Sequence, residues 1–176
     1  VLRTADWGEY DKIVTLFTAE RGKLSAALKG VKRAGAKLKF AAQPFCFAEF
    51  VFVEKAGRHT VISAYLHDGF YALREDIACY SAAVVLCEAC DQLLFEGIES
   101  PALFLAAVRT LEALSSCAEG GATDAAGGRP DDGKSGSPSV PLNFLLTALK
   151  AAGYPVSAGD LPHFVTNSTG RRRVNL

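Results

Sequence analysis

Five cations fall within the eleven residues Lys29-Gly-Val-Lys-Arg-Ala-Gly-Ala-Lys-Leu-Lys39, and no acid lies among them. They are Lys29, Lys32, Arg33, Lys37 and Lys39. Side chains of this kind at this density neutralise phosphates, and phosphate neutralisation supplies much of nucleic-acid affinity. Gly30 and Gly35 keep the segment pliable. The plainer alternative is a solvated loop with surplus lysines. Arg3, Arg21 and Lys23 would extend a basic stripe if their strands share a face. Trp7 and Tyr10 read as turn residues, where a ring could stack on a base. For Trp7 a half-buried lid over a core is an equal alternative. These ten residues are the candidate nucleic-acid contacts. Phe45, Phe47, Phe50 and Phe52 are assigned mainly to the core, and Gly8 and Gly22 to turns.

The total charge hides this front. The chain has 19 basic and 19 acidic side chains, so its formal net charge is zero. Residues 1–60 carry 11 Lys/Arg against 6 Asp/Glu, while residues 61–170 carry 5 against 13. Arg171, Arg172 and Arg173 close the chain with a short basic tail. A basic front, an acidic middle and a basic tail point to a polyanionic partner better than the sum does.

Other chemistries find little to stand on. No nucleophile–base pair and no phosphate-cradling glycine loop can be assembled, so no enzyme is expected. Cys87 and Cys90 form a C-x-x-C pair, but there is no second such pair, and His59 and His67 are not at ligand-like spacing. The pair reads as two small apolar residues on a buried helix face. Five cysteines, an odd number mostly inside apolar segments, suggest reduced thiols in a reducing compartment, and hence the cytoplasm. No apolar run approaches the roughly 20 residues of a membrane span. The start lacks the pattern of a secretory signal. The chain has no Met, so a short segment ahead of Val1 is expected to be missing.

The elements that must position the basic loop are strands. Val1–Thr4, Lys12–Thr18, Gly22–Lys29, Gln43–Glu54 and Thr60–His67 are short, rich in β-branched and aromatic residues, and separated by Gly-containing turns. Gln43–Glu54 is apolar on almost both faces, which predicts a central strand buried on both sides. Five such strands with a basic loop and nearby aromatics follow the recipe of the OB-fold barrel. From Ala72 the period becomes helical. Leu73, Ile77, Tyr80, Val84, Cys87 and Leu94 predict one long helix running to Phe95, with Asp91 and Glu96 on its wetter side. Ser100-Pro101 starts another, carrying Leu103, Phe104, Ala107, Leu111 and Leu114. Residues 118–139 read as a flexible insertion. Helicity resumes over Val140–Ala152 and stops at Gly153 and Pro155. The fold class expected is α+β: an OB-fold nucleic-acid-binding domain over 1–70, a helical domain over 71–165 with the insertion at 118–139, and a basic tail over 166–176.

The order of several blocks is that of a known family. Val1-Leu-Arg-Thr, Trp7-Gly-Glu-Tyr-Asp-Lys12, Leu16-Phe-Thr18, Gly22-Lys-Leu24 and Lys29-Gly-Val-Lys-Arg33 resemble the start of the bacterial recombination mediator family RecO. Gln43-Pro-Phe45, Leu73-Arg-Glu-Asp76 and Leu149-Lys-Ala-Ala-Gly-Tyr154 continue the resemblance, which covers 1–114 and 140–155. It implies no catalytic turnover. It implies binding of single- and double-stranded DNA, annealing of complementary strands, and help in loading recombinase on DNA coated by single-strand-binding protein. The implied partners are RecR and the acidic tail of single-strand-binding protein. The chain departs from the family in three places. Pro155–Leu176 has none of the four cysteines with which many members bind zinc, so no zinc or other cofactor is expected. The chain stops where relatives continue, so an incomplete helical domain is expected. Leu142 and Asn143 stand before Phe144, where arginines often precede this Phe in the family, which weakens the expected docking of the acidic tail. The alternative from another class is an OB-fold RNA-binding module, since such barrels take either nucleic acid.

Overall fold

The computed structural model describes residues 1–121; the expected helix 140–152, most of the 118–139 segment and the arginine tail lie outside the described residues. Five strands come first: β1 (Arg3–Trp7), β2 (Asp11–Thr18), β3 (Gly22–Leu28), β4 (Phe47–Lys55) and β5 (Arg58–Asp68). They form one sheet in the order β1-β2-β3-β5-β4. Every neighbouring pair is antiparallel except β3 and β5, which run parallel through Ala26–His59 and Ala27–Thr60. The ends of the sheet meet where Val1 donates its nitrogen to the Cys46 carbonyl (2.8 Å) and Phe45 donates to the Val1 carbonyl (3.0 Å). That order, the parallel β3–β5 pair and this closing contact are those of an OB-fold barrel, and with the helices that follow the class is α+β.

Alternation explains the barrel. Along β3 the pattern is strictly two-fold: Leu24, Ala26 and Leu28 are buried, and Lys23, Ser25 and Ala27 are less so. Val14 and Leu16 from β2, Val61 from β5, and Val31, Ala41 and Ala42 from the segment between β3 and β4 complete the interior.

A helical layer covers one side. A one-turn 3-10 helix (Tyr71–Arg74) leads to α1 (Ile77–Leu93) and α2 (Pro101–Gly121). Asp76 caps α1 by accepting the Cys79 N–H at 2.8 Å, which satisfies one of the free donors of the first turn. Leu73, Leu86, Leu103, Leu111 and Leu114 form a second core with Phe45 and Phe70. The two cores are sewn together at the α1–α2 connection. Glu96 bridges to Gly22 and Lys23, and Gly97 donates to the Lys23 carbonyl at 3.1 Å. Gly22 therefore does more than turn the chain: its φ is +62°, and a Cβ there would collide with the Ile98 carbonyl. Phe104 of α2 packs edge-on against Phe17 of β2, with ring centroids 5.4 Å apart.

Several expectations are corrected. β1 runs from Arg3 to Trp7 rather than Val1–Thr4, so Trp7 ends a strand and the turn begins at Gly8. The Phe-rich β4 is not a central strand buried on both sides. It stands last in the strand order, with Phe50 and Phe52 half-buried and Val51 and Val53 exposed. Phe45 precedes the strand, at φ +69°, and belongs to the helical core. The single helix from Ala72 is a 3-10 turn followed by a capped helix, and its buried face is Cys79, Ala83, Leu86, Cys87 and Cys90. Ile77 is 80% exposed, and Val84 also faces outward. Phe95 lies beyond the helix end and is exposed. Asp91 is not on a wet side but is drawn into ion pairs with the barrel. α2 continues through residues 118–121, with Ala118 buried, so the insertion cannot begin before 122. By length and composition alone, Pro101–Gly120 could cross a membrane, contrary to the sequence reading. It nonetheless carries Arg109 and Glu112 and packs a Leu103–Leu111–Leu114 stripe into the core.

Candidate nucleic-acid interface

The basic segment leaves the end of β3 and folds against the β1–β2 hairpin. Its start is pinned by Asp11, whose carboxylate accepts the Gly30 N–H at 2.7 Å. The Lys32 N–H donates to the Tyr10 carbonyl at 3.0 Å. Val31 points inward and is buried in the barrel core, which turns Lys32 and Arg33 outward. Short turns closed by Arg33 N–H to Gly30 and Ala36 N–H to Arg33 carry the chain to the 3-10 turn at Phe40–Ala42.

Four candidates are brought together here. The Arg33 guanidinium lies over the Tyr10 ring, 4.9 Å from its centroid. Trp7 is 46% exposed and Tyr10 41%. The Lys32 ammonium reaches back to the hairpin, 3.1 Å from Asp6 Oδ2 and 3.5 Å from the Gly8 carbonyl. Lys12, the cross-strand neighbour of Asp6, lies 3.7 Å from Asp6 Oδ1. The hydrogen bond from Lys32, with Lys12 alongside, holds the Asp6 carboxyl below its ordinary range. Glu9 bonds the Tyr10 hydroxyl and raises its pKa. Lys29, Lys37 and Lys39 are exposed and pair with no acid among the described residues.

The other three candidates are elsewhere. Lys23 and Arg3 converge on Asp91 of α1: Lys23 Nζ is 2.6 Å from its carbonyl and 3.5 Å from Oδ1, and Arg3 is 3.7 Å from Oδ2. They tie the helical layer to the barrel and do not continue the loop's surface. Arg21 sits near the far end of β3, 3.5 Å from Glu54 and stacked over Phe52. The expected stripe of Arg3, Arg21 and Lys23 is therefore not assembled.

Two further cations were overlooked. Lys55 and Arg58 flank the tight β4–β5 turn, are exposed, and have no ion pair among the described residues. In the sequence they frame the turn Lys-Ala-Gly-Arg, two cations that form no run like that of the loop. The three acids of the hairpin, Asp6, Glu9 and Asp11, were overlooked as well. Nothing in their spacing says that they face the loop, because that depends on a contact between segments some twenty residues apart.

Four of the five cysteines are buried, and Cys117 is exposed. Cys87 and Cys90 are buried in α1's inner face; burial pushes Cys87 up to about 11 and raises Cys90 further still. Among the described residues no three His, Cys, Asp or Glu side chains gather to hold a metal ion.

An OB-fold barrel with a basic loop beside two partly exposed aromatic residues is an arrangement that can take a nucleic acid. Known proteins of the same kind are found by sequence. Residues 1–70 match the family described as "Recombination protein O N terminal". The DNA repair protein RecO of Exiguobacterium sibiricum is 38% identical over 114 residues, 65% of this chain and 46% of the relative. RecO of Syntrophomonas wolfei is 34% identical over 115 residues, and RecO of Bacillus subtilis 32% over 115, each covering 65% of this chain and 45% of the relative. The chain spans about half the length of the curated relatives it matches. Its N-terminal region is thus similar to that of RecO proteins.

Proposed function

We propose that this chain is the DNA-binding portion of a DNA repair and recombination mediator. It binds single- and double-stranded DNA, anneals complementary strands, and assists the loading of recombinase on DNA coated by single-strand-binding protein. It works without catalytic turnover, in the cytoplasm at the nucleoid, with RecR and single-strand-binding protein as partners. The observation that carries the reading is the basic loop docked on the Trp7–Tyr10 hairpin of an OB barrel, with Lys29, Lys37 and Lys39 paired to no acid among the described residues. The loop would meet phosphates and the rings would stack on bases. The similarity to proteins named DNA repair protein RecO supports DNA over other polyanions.

The test is annealing of complementary oligonucleotides by the full chain and by a Lys32→Glu/Arg33→Glu variant. The variant should keep its circular dichroism and lose at least about tenfold in DNA affinity at low salt. Unaltered affinity in the folded variant would move the contacts off the loop. An OB module for RNA is the second reading, since the same rings and cations serve either polymer. Tighter binding of RNA than of single-stranded DNA, without annealing, would favour it.

A further inference from the structure

The hairpin that carries the stacking rings also carries acids, and one of them already occupies the loop's cation. Asp6 stands at the end of β1, exposed, with Lys12 on one oxygen and Lys32 on the other. A carboxylate held between two ammonium groups presents them with what a phosphate diester would: one negative charge shared over two oxygens. An exposed pair of this kind is weak, because water competes for both charges, so it can be exchanged. Glu9 and Asp11 are engaged differently. Asp11 accepts a backbone N–H of the loop, and neither it nor Glu9 pairs with a cation among the described residues.

We propose that Asp6 is an internal competitor for DNA phosphate, holding Lys32 against the hairpin when no nucleic acid is bound. The loop's cations then divide into two sets. Lys29, Lys37 and Lys39 meet the polymer first. Lys32 joins only where a phosphate displaces Asp6, which raises the threshold for binding and makes engagement easier to reverse. A protein that must pair strands and then leave them benefits from contacts of this kind. The inference rests on the DNA-binding reading of the loop and names a residue that regulates that same site.

The experiment is a fluorescence-anisotropy titration of a labelled oligothymidylate with the unaltered chain, Asp6→Asn, Lys32→Gln, the double variant, and Glu9→Gln. Asp6→Asn should tighten binding about two- to fivefold at low salt. It should also steepen the dependence of log K on log salt by about 0.7, one further phosphate contact on a single strand. The gain should vanish in the Lys32→Gln background, and Glu9→Gln should give a smaller one. Weaker binding by Asp6→Asn, at an unchanged melting temperature, overturns the proposal and makes Asp6 a clamp. A gain that survives in Lys32→Gln, or is matched by Glu9→Gln, overturns it too, because net charge would then account for it. If the unaltered chain binds no oligothymidylate, the DNA-binding reading itself fails. If it binds and Asp6→Asn gains nothing, the competitor alone fails.

Discussion

Neutralising the three loop lysines that pair with no acid among the described residues, as Lys29→Gln/Lys37→Gln/Lys39→Gln, should flatten the salt dependence of DNA binding. The structure sets the size of the effect. Of the five loop cations Lys32 is held by Asp6, and Arg33 lies over the Tyr10 ring with no ion pair among the described residues. Four cations therefore remain for phosphates. Each contact on a single strand contributes about −0.7 to the slope of log K against log salt, so the unaltered chain should show about −3. A fourfold rise in salt then weakens binding by about 50-fold. The triple variant keeps Arg33 alone and should show about −0.7, or about threefold over the same range. Anisotropy of a labelled oligothymidylate at several salt concentrations reads both slopes. The three side chains are exposed, so the melting temperature should not move. A flat line for the unaltered chain, or equal slopes for the two proteins, would refute the assignment of the loop as the main contact.

Trp7 is the chain's single tryptophan and is about half exposed, so its fluorescence should report oligonucleotide binding directly. Trp7→Ala should weaken single-strand binding by about 1–3 kcal/mol if the ring stacks on a base, and should instead lower the melting temperature if it is a lid. Gly22→Ala should destabilise the fold by at least about 2 kcal/mol in chemical denaturation, through positive φ and the collision with Ile98; stability like that of the unaltered chain would disprove the tight seam. Asp76 has its pKa lowered by the Cys79 N–H bond, so its contribution is present above the ordinary value of 3.8 and is lost as pH falls through the lower folded value. Melting temperatures of the unaltered chain and Asp76→Ala should differ at neutral pH and converge in acid. A gap independent of pH would contradict the cap.

The strands were legible because β-branched and aromatic runs broken by glycines leave little choice of period, as in Lys12–Thr18 and Gly22–Leu28. The loop was legible because five cations in eleven residues need no tertiary context to be noticed. What failed depended on partners. The buried face of α1 is made of Cys79, Ala83, Leu86, Cys87 and Cys90, small side chains that carry little weight in a hydrophobic period. Ile77 and Val84 weigh more and point outward. β4 misled in the opposite direction: Phe45 to Val53 looked buried on both faces, yet the strand ends the sheet and shows one face to solvent. Which face of an apolar segment is covered is decided by what packs there, and a single strand does not carry that information.

The same dependence governs charge, and it narrows the basic front more than counting does. Three carboxylates each draw two basic side chains to themselves. Asp6 takes Lys12 and Lys32, Asp91 takes Lys23 and Arg3, and Glu54 takes Arg21 and faces His59. The front's basic residues that pair with no acid among the described residues are then Lys29, Arg33, Lys37 and Lys39 on the loop, and Lys55 and Arg58 on the β4–β5 turn. The excess positive charge is thus not spread along the strands that supplied much of the count. It is gathered on two turns, one at each end of β3, on side chains that pair with no acid among the described residues. A polyanion is attracted by unpaired charge rather than by composition. The paired cations serve a different end: Lys23 and Arg3 tie the helices to the barrel through Asp91.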